Sequence, residues 1–376
     1  MDSPTTPLSV KPRDYNVNPF IVIWEVTRAC ALKCLHCRAE AQYQADPRQL
    51  TFEEGKRLLD QILELDKPLL VFSGGDPLMR PDLFDLAEYA VNIGLSVSMT
   101  PSATPKVTKE AMRKAKEVGL SRWAFSLDGS NAEIHDAFRG VPGSFDLTMR
   151  SIDYLRELGM PLQINTTVTR YNLQDLDNIA ALLEKKGVVL WSVFFLVPTG
   201  RGQVKDMITA KETEEVFAWL YRKNKEVPFQ IKTTEAHHYR RFYLQQLEKE
   251  KGTASYEDYI AQKEGGIKDL LGRAPQGVRD GNGFLFISHI GDVYPSGFLP
   301  IKAGNVREQP LAEIYRESPI FKSLRNPSGF KGKCGVCEFN QICGGSRARA
   351  YGVTGDYLAS EPTCIYIPKA LREKAI

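Results

Sequence analysis

Three cysteines within eight residues constrain this chain more than any other feature. Cys30, Cys34 and Cys37 are spaced C-x3-C-x2-C, and they follow residues 20–26, an apolar run typical of a buried strand. Three thiolates on so short a loop can hold one iron-sulfur cube, but they leave one of its four irons without a protein ligand. A structural zinc ion and an accidental cysteine cluster are the alternatives, although zinc sites more often carry paired C-x2-C motifs.

The segments after this loop alternate between strand-like and helix-like patterns. Strands are predicted at residues 20–26, 69–72, 95–100, 122–127, 161–168 and 188–197, and helices at residues 51–66, 82–93, 108–118, 145–158 and 173–186. Strands that alternate with helices indicate right-handed βαβ crossovers and a parallel α/β sheet. Because six strands are fewer than the eight of a closed TIM barrel, the sequence predicts an open, partial (β/α)6 TIM-like barrel.

Polar and glycine-rich residues stand where three of these strands end. They are Gly74, Gly75 and Asp76 after the second strand, Ser126 and Asp128 at the fourth, and Asn165 and Thr166 at the fifth. Because the carboxyl ends of parallel strands share one rim of a barrel, we expect these residues beside the cysteine loop. Paired glycines also let a backbone approach a ligand closely. A plain Gly-Gly turn before Pro77 and an aspartate that only caps a turn are the alternatives.

A second cysteine group lies near the other end of the chain. Cys334, Cys337, Cys343 and Cys364 are spaced C-x2-C-x5-C-x20-C, and they follow residues 283–295, which read as a β-hairpin with a Gly-Asp turn. Four thiolates are the full complement for an iron-sulfur cube held entirely by protein. A zinc ribbon held by the same cysteines is the alternative.

Between the barrel and this second group the pattern changes to two predicted helices and a mobile lid or loop, at residues 209–226, 235–250 and 251–282. The second helix begins with imidazoles, a phenol and a cation, contributed by His237, His238, Tyr239 and Arg240. Such a cluster suits a polycarboxylate substrate or ligation of a haem-type iron. A solvated helix start with a basic face is the alternative.

Four segments follow from these patterns. They are an N-terminal arm, a barrel core, a helical connector with a candidate lid, and a C-terminal cysteine module, at residues 1–19, 20–200, 201–282 and 283–376. We expect the polar, proline-rich arm to lie loosely over the first strand.

The composition of the chain limits which binding partners and which cellular compartment are expected. A net charge of +3 over 376 residues argues against nucleic acid as the main partner. No apolar run is long enough to span a bilayer and the N-terminal residues contain no signal-like segment, so we predict a cytoplasmic protein without a membrane partner. Seven cysteines in just two groups are typical of metal sites, whereas a disulfide framework belongs to a secreted chain.

The first cysteine spacing, with His36 directly before the third cysteine, resembles that of the radical S-adenosylmethionine (SAM) superfamily. The resemblance implies a 4Fe-4S cluster whose open iron is chelated by the amino and carboxylate groups of SAM. It also implies reductive cleavage of SAM to a 5′-deoxyadenosyl radical, with a reductant such as flavodoxin or ferredoxin. The segment 74–77 is similar to the family's GGEP segment, but Asp76 stands where the family usually has Glu.

The resemblance assigns roles to residues on the predicted rim. SAM contacts are implied for Gly74, Gly75 and Asp76 (amino group), Ser126 and Asp128 (ribose), Asn165 and Thr166 (methionine carboxylate) and Phe195 (adenine). Arg139 lies in a segment similar to one that presents an arginine to a carboxylate of SAM or substrate, so a catalytic role is implied. A surface ion pair for Arg139 and plain core packing for Phe195 are the alternatives.

The second cysteine group and its hairpin resemble the SPASM or twitch extensions of the superfamily, which implies an auxiliary 4Fe-4S cluster. Residues 24–30, 332–337, 347–351 and 353–356 look most like the anaerobic haem and denitrification-haem branch, whose members decarboxylate or trim the side chains of iron porphyrins. A small tetrapyrrole is therefore the favoured substrate. Where that branch tends to carry cysteines, this chain has Ser296 and Ser346.

Two other function classes share parts of this pattern. A peptide maturase would carry the same C-terminal module and would modify a ribosomally made precursor peptide. An iron-sulfur electron-transfer or scaffold protein would carry the cysteines alone, and the Gly-Gly-Asp-Pro and Ser-Leu-Asp-Gly segments on the predicted rim disfavour it.

Overall fold

The computed structural model describes residues 13–255, 257–258 and 277–372. Its described strands form one sheet in the order β10-β9-β8-β1-β2-β3-β4-β5-β6-β7. The strands are β1 Ile21–Glu25, β2 Leu69–Ser73, β3 Val97–Met99, β4 Arg122–Ser126, β5 Leu162–Val168, β6 Leu190–Phe195, β7 Gln230–Thr234, β8 Phe284–Ile287, β9 Asp292–Tyr294 and β10 Gly304–Asn305. Strands β1 to β6 pair in chain order and in parallel, which confirms the predicted partial barrel.

Helices separate these strands as the predicted crossovers require. They are α1 Phe52–Leu63, α2 Leu83–Asn92, α3 Lys109–Val118, α4 Ala132–Arg139, α5 Ser144–Glu157, α6 Leu176–Lys186, α7 Ala210–Glu226 and α8 Tyr239–Lys251, followed by Leu311–Glu317, Pro319–Arg325, Gly332–Gly335, Arg347–Thr354 and Lys369–Arg372. In α1 the Thr51 side chain accepts from the Glu54 N–H and the Glu54 side chain accepts from the Thr51 N–H, a capping box that fixes where the helix begins. Helix α4, which the pattern did not predict, is capped by Asn131 and ends at Arg139.

The predicted helical connector contains a strand. Strand β7 pairs in parallel with β6, so the sheet continues past the six predicted strands. Its sequence QIKTT is mostly polar and carries no apolar alternation, which explains why periodicity missed it. The helix predicted from residue 235 begins at Tyr239, because residues 235–238 form the turn that leads out of β7.

The C-terminal module belongs to the same sheet. Strand β8 pairs in parallel with β1, and β8 and β9 form the predicted antiparallel hairpin. The hairpin turn needs Gly291, whose φ of +85° favours glycine. Near the start of the described chain, Tyr15 is buried, and its carbonyl accepts from the Tyr315 hydroxyl at 2.7 Å. Residues 13–19 are therefore packed on this module, and residues 1–12 of the predicted arm lie outside the described residues.

Within the described chain no helix combines the length and the apolar character needed to cross a membrane. Most of the predicted lid, residues 259–276 together with Tyr256, also lies outside the described residues.

Candidate active site

The first cysteine loop lies at the carboxyl end of β1 and is fastened from several sides. Cys30 N–H donates to the Gln42 carbonyl at 2.7 Å, and the N–H of Lys33 donates to the Arg139 carbonyl at 3.1 Å. The N–H of Arg201 donates to the Cys37 carbonyl at 3.0 Å. None of the three loop cysteines forms a disulfide. The backbone thus holds the loop in place by contacts that do not involve the thiols.

The Gly-Gly segment after β2 packs against this loop. The N–H groups of Gly75 and Asp76 donate to the carbonyls of Thr27 and Ala29 at 2.8 and 2.7 Å. A Cβ atom at Gly75 would lie 2.5 Å from the Ala29 carbonyl oxygen, so the close approach requires glycine. Because these N–H donors already have partners, the backbone groups left for an ammonium ligand are carbonyl oxygens.

Asp76 does not line the cavity beside the loop. Its carboxylate accepts from the Leu78 N–H at 3.2 Å and from the Thr104 hydroxyl at 2.9 Å. Burial raises the pKa of Asp76 to about 6. The residue therefore supports the turn after the glycines, and a direct side-chain contact with SAM stays a prediction without geometric support.

Arg139 joins the rim to the cysteine loop. Its Nη2 pairs with Asp128, a fully buried carboxylate, and its Nη1 donates to the sulfur of Cys34 at 3.5 Å. Burial raises the pKa of Asp128, although the Arg139 charge opposes that shift. Asp128 also accepts from the Thr167 N–H at 2.7 Å. Arg139 is thus a buried residue of the site, so the surface ion pair is excluded, and Asp128 positions it.

Strand β5 presents alternate residues to the two faces of the sheet. Asn165 and Thr167 line the main cavity described below, as does Gln163. Thr166 faces the other way, where its hydroxyl donates to the Leu127 carbonyl at 2.6 Å and accepts from the Trp191 indole at 2.8 Å. Adjacent residues of one strand cannot both face the same ligand. Thr167 thus replaces Thr166 as the candidate contact, and strict alternation in the sequence could have found it.

One large cavity, called the main cavity, has a volume of about 530 Å³ and begins at the cysteine loop. Its described lining contains, of the predicted site residues, Cys30, Cys34, Cys37, Gly74, Gly75, Ser126, Arg139, Asn165, Phe195, His237 and Arg240. Phe195 also packs on Phe217 at 5.3 Å between ring centroids, so it contributes to the core and to the cavity wall.

The predicted substrate cluster is divided among three environments. His237 and Arg240 line the main cavity, and His238 lies beside the second cysteine group. Tyr239 packs against Phe217 in the core at 5.3 Å. All four side chains are buried, which excludes a solvated helix start.

A buried carboxyl pair on the wall of the main cavity was not predicted. Burial and the neighbouring Asp280 charge raise the pKa of Glu235 well above its usual range, and burial raises the pKa of Asp280. The two serines found where the haem branch tends to carry cysteines converge here. Ser346 donates to Glu235 at 2.5 Å and Ser296 at 3.5 Å. These residues lie far apart in sequence, so no local pattern could have found the cluster.

A second buried network ties the cysteine loop to the C-terminal hairpin. Glu25, at the end of β1, accepts from Arg38 at 3.0 Å and contacts His289 Nδ1 at 3.0 Å. The fully buried Glu25 has its pKa lowered to about 2, because the His289 hydrogen bond and the Arg38 charge together outweigh the large opposing effect of burial. No local sequence pattern predicts this link between distant segments.

The second cysteine group surrounds a small cavity of about 30 Å³, called the auxiliary cavity. It is lined by all four cysteines, Cys334, Cys337, Cys343 and Cys364, and by His238 and Arg241. Arg347 donates to the sulfur of Cys334 at 3.7 Å, and the Gly345 N–H donates to the sulfur of Cys343 at 3.4 Å. The structure thus brings together the four residues that the spacing grouped.

Both cysteine groups have the donor chemistry of iron-sulfur sites. Burial raises the pKa of Cys30 to about 11 and that of Cys343 to about 12, so thiolates here need a cationic partner such as iron. Each sulfur of the first loop also receives a donor: the N–H of Leu32 lies 3.4 Å from the Cys30 sulfur and that of Ala41 lies 3.5 Å from the Cys37 sulfur.

In the described part of the chain, no group of three or more His, Cys, Asp or Glu side chains is arranged to bind a single metal ion. A cube does not need that geometry, because each thiolate binds a different iron.

Two family models match the chain. The Radical SAM superfamily matches residues 24–183, and SPASM, an iron-sulfur cluster-binding domain, matches residues 279–338. These matches confirm the predicted 4Fe-4S radical enzyme, with SAM and iron-sulfur clusters as its cofactors.

Individual proteins agree with the family models. The AdoMet-dependent heme synthase of Methanosarcina barkeri is 43% identical over 350 residues, and that of Nitratidesulfovibrio vulgaris is 44% identical over 353 residues. The matches cover 93% of this chain in both cases, and 97% and 93% of those proteins. The crystal structure of Streptococcus suis SuiB bound to precursor peptide SuiA has a TM-score of 0.68 over 93% of this chain and 76% of that chain, at 17% identity, which shows a shared fold. The chain therefore belongs to the radical SAM superfamily and, within it, to the family of the AdoMet-dependent heme synthases.

Proposed function

We propose that this enzyme decarboxylates or otherwise shortens the carboxylate side chains of a haem precursor, as the heme synthases at 43% and 44% identity suggest. The main cavity is the observation that carries the proposal. One volume of about 530 Å³ extends from the first cysteine loop to Ser296 in the C-terminal module. A ligand in it lies beside the place where a radical would form, as a hydrogen-atom transfer requires.

Charge on the cavity wall favours a polyanionic ligand. Its described cations are Arg38, Arg122, Arg139, Arg201, Lys232, Arg240 and Arg279. Its described carboxyl groups are Glu235 and Asp280, and burial raises the pKa of each, which favours the uncharged form. Arginine binds carboxylates through parallel hydrogen bonds, so such a wall suits the several carboxylates of a porphyrin.

The chemistry divides between the cofactors and the chain. When bound, the first cluster and SAM supply a 5′-deoxyadenosyl radical. Conversion of a propionate group to a vinyl group releases CO2, one hydrogen atom and one electron. Arg139 and the β5 residues orient carboxylates, and the cavity wall keeps water from the reacting carbon. We also infer an external one-electron reductant of the flavodoxin or ferredoxin type, because SAM cleavage consumes an electron.

The two cavities are lined by neighbouring residues of the segment where the turn after β7 leads into α8. His237 and Arg240 line the main cavity, whereas His238 and Arg241 line the auxiliary cavity. This arrangement supports the second cysteine group as the acceptor of the electron that decarboxylation releases.

Anaerobically reconstituted protein tests the proposal. It should contain about eight iron and about eight sulfide ions if both groups hold cubes. With SAM, a strong reductant and a carboxylated iron porphyrin, it should form 5′-deoxyadenosine together with a porphyrin that has lost a carboxyl group. Formation of 5′-deoxyadenosine that no porphyrin stimulates, and no porphyrin product, would contradict the substrate class. A content of about four iron ions and one zinc ion per chain would contradict the assignment of an iron-sulfur cluster to the second cysteine group.

A precursor peptide is the second candidate substrate, because SuiB shares the fold and was crystallised with its precursor peptide. The same assay distinguishes the two classes when a peptide encoded beside this gene replaces the porphyrin. The heme synthases' higher sequence identity, over nearly the whole chain, favours the porphyrin.

A further inference from the structure

The wall of the main cavity contains histidine side chains that could bind a metal ion. Two of the five histidines line it, His36 and His237. His36 belongs to the cysteine loop, and its Nδ1 is buried without a partner among the described residues. His237 lies in the turn after β7 and is fixed by a hydrogen bond.

That hydrogen bond determines the tautomer of His237. Its Nδ1 lies 3.0 Å from the Gly345 carbonyl oxygen. A carbonyl can only accept, so Nδ1 carries the proton and Nε2 holds the lone pair. No other group of the described chain forms a hydrogen bond with this ring. Among the described residues, Nε2 is also not one of the fully buried polar atoms that lack a hydrogen-bond partner, so it is accessible from the cavity. Nε2 is therefore an open lone pair on the cavity wall.

An orienting backbone hydrogen bond on one nitrogen and a free lone pair on the other are the features of a metal-ligating histidine. Burial and the neighbouring Arg240 and Arg279 charges lower the pKa of His237 well below its usual range. The ring is neutral at pH 7, so it cannot serve as a cation for a carboxylate. Arg240 has that role, since its guanidinium contacts just the carbonyls of Ile342 and Val278 within the described residues.

We propose that His237 Nε2 is an axial ligand to the iron of an iron-porphyrin substrate. The inference rests on the proposed function and deepens it, because it names the residue that would bind the iron of that substrate. Iron ligation would then hold the macrocycle while the neighbouring arginines bind its carboxylates.

Porphyrins with and without iron test this proposal on the reconstituted holoenzyme. The probes are haemin and metal-free protoporphyrin IX. Resonance Raman spectroscopy of the reduced haemin complex should show an iron–imidazole stretch in the wild type. His237→Ala should lose that band, and its affinity for haemin should fall while its affinity for the metal-free porphyrin stays unchanged. Added imidazole should restore the band.

Two further variants keep the result interpretable. His237→Met replaces the imidazole nitrogen with a thioether sulfur, so its haemin complex should give the spectrum of a thioether-ligated iron. That change would identify residue 237 as the iron ligand even if the alanine variant folds poorly. Lys232→Met alters the cavity wall without removing a nitrogen ligand, and it should keep the imidazole band. An unchanged band in both His237 variants would overturn the inference. A wild type that binds neither porphyrin would instead contradict the proposed function.

Discussion

The two cysteine groups of this chain contain the same ligand type but differ in number and access. The first group has three cysteines at the edge of a cavity of about 530 Å³, and the second has four around a cavity of about 30 Å³. Three thiolates leave an iron that must find another ligand, whereas four leave none. The open group sits where a small molecule can enter. The closed group lies among Arg241, Arg347 and His238, which suits electron transfer or structural support.

Removal of the first group should have the largest effect. Changing Cys30, Cys34 and Cys37 together to Ala should abolish 5′-deoxyadenosine formation and lower the iron content from about eight to about four per chain. Iron analysis and chromatography of the SAM products measure both. The matched control changes the four C-terminal cysteines, which should leave SAM cleavage in place. Persistent 5′-deoxyadenosine in the triple variant would show that the open site has been assigned to the wrong loop.

Loss of one ligand from the closed group should separate two activities. If the second cluster conducts electrons, Cys364→Ala should keep most SAM cleavage and lose porphyrin turnover. A cluster that only supports the fold would instead lower soluble yield and both activities together. Thr363→Val is the matched control, because it removes the 2.8 Å hydrogen bond to Glu361 without removing a thiolate. Unchanged product formation in folded Cys364→Ala protein would exclude a redox role.

The buried ion pair between Arg139 and Asp128 contributes to stability at the open site. Arg139→Gln leaves Asp128 buried without its cation, and we expect it to destabilise the holoenzyme by about 3 kcal/mol. Adding Asp128→Asn removes the uncompensated charge and should recover part of that loss. Urea denaturation midpoints of the two single variants and the double variant measure the coupling. Additive effects would show that the two side chains act independently.

The sequence could predict the parts of this comparison that depend on local pattern. Apolar runs separated by helices identified β1 to β6, and spacing grouped the cysteines correctly. Strand β7 was missed because its residues are polar, and its pairing with β6 is a tertiary property. Likewise, the four consecutive residues from His237 to Arg240 face different environments because they span the turn after β7 and the start of α8, between two cavities. The Glu235–Asp280 pair depends on segments that meet only in the folded chain.

The smallest predicted effect concerns pH and belongs to the open site. Burial raises the pKa of Asp76 from 3.8 to about 6, so the folded chain binds a proton more tightly than the unfolded chain does. The stability that this proton contributes is complete below pH 3.8 and is lost as the pH rises through about 6. Asp76→Asn imitates the protonated carboxyl at every pH. The variant should therefore be more stable than the wild type at pH 8, and its advantage should shrink by about 1 kcal/mol toward pH 5.

Urea midpoints of both holoenzymes between pH 5 and pH 8 measure this difference. Asp82→Asn, at a partly exposed carboxylate six residues later, is the matched control for removing a carboxylate from this segment. An advantage of Asp76→Asn that stayed constant over the range would mean that Asp76 is ionised throughout. The Thr104 hydroxyl and the Leu78 N–H would then outweigh burial, and the turn beside the open cysteine group would contain a permanent negative charge.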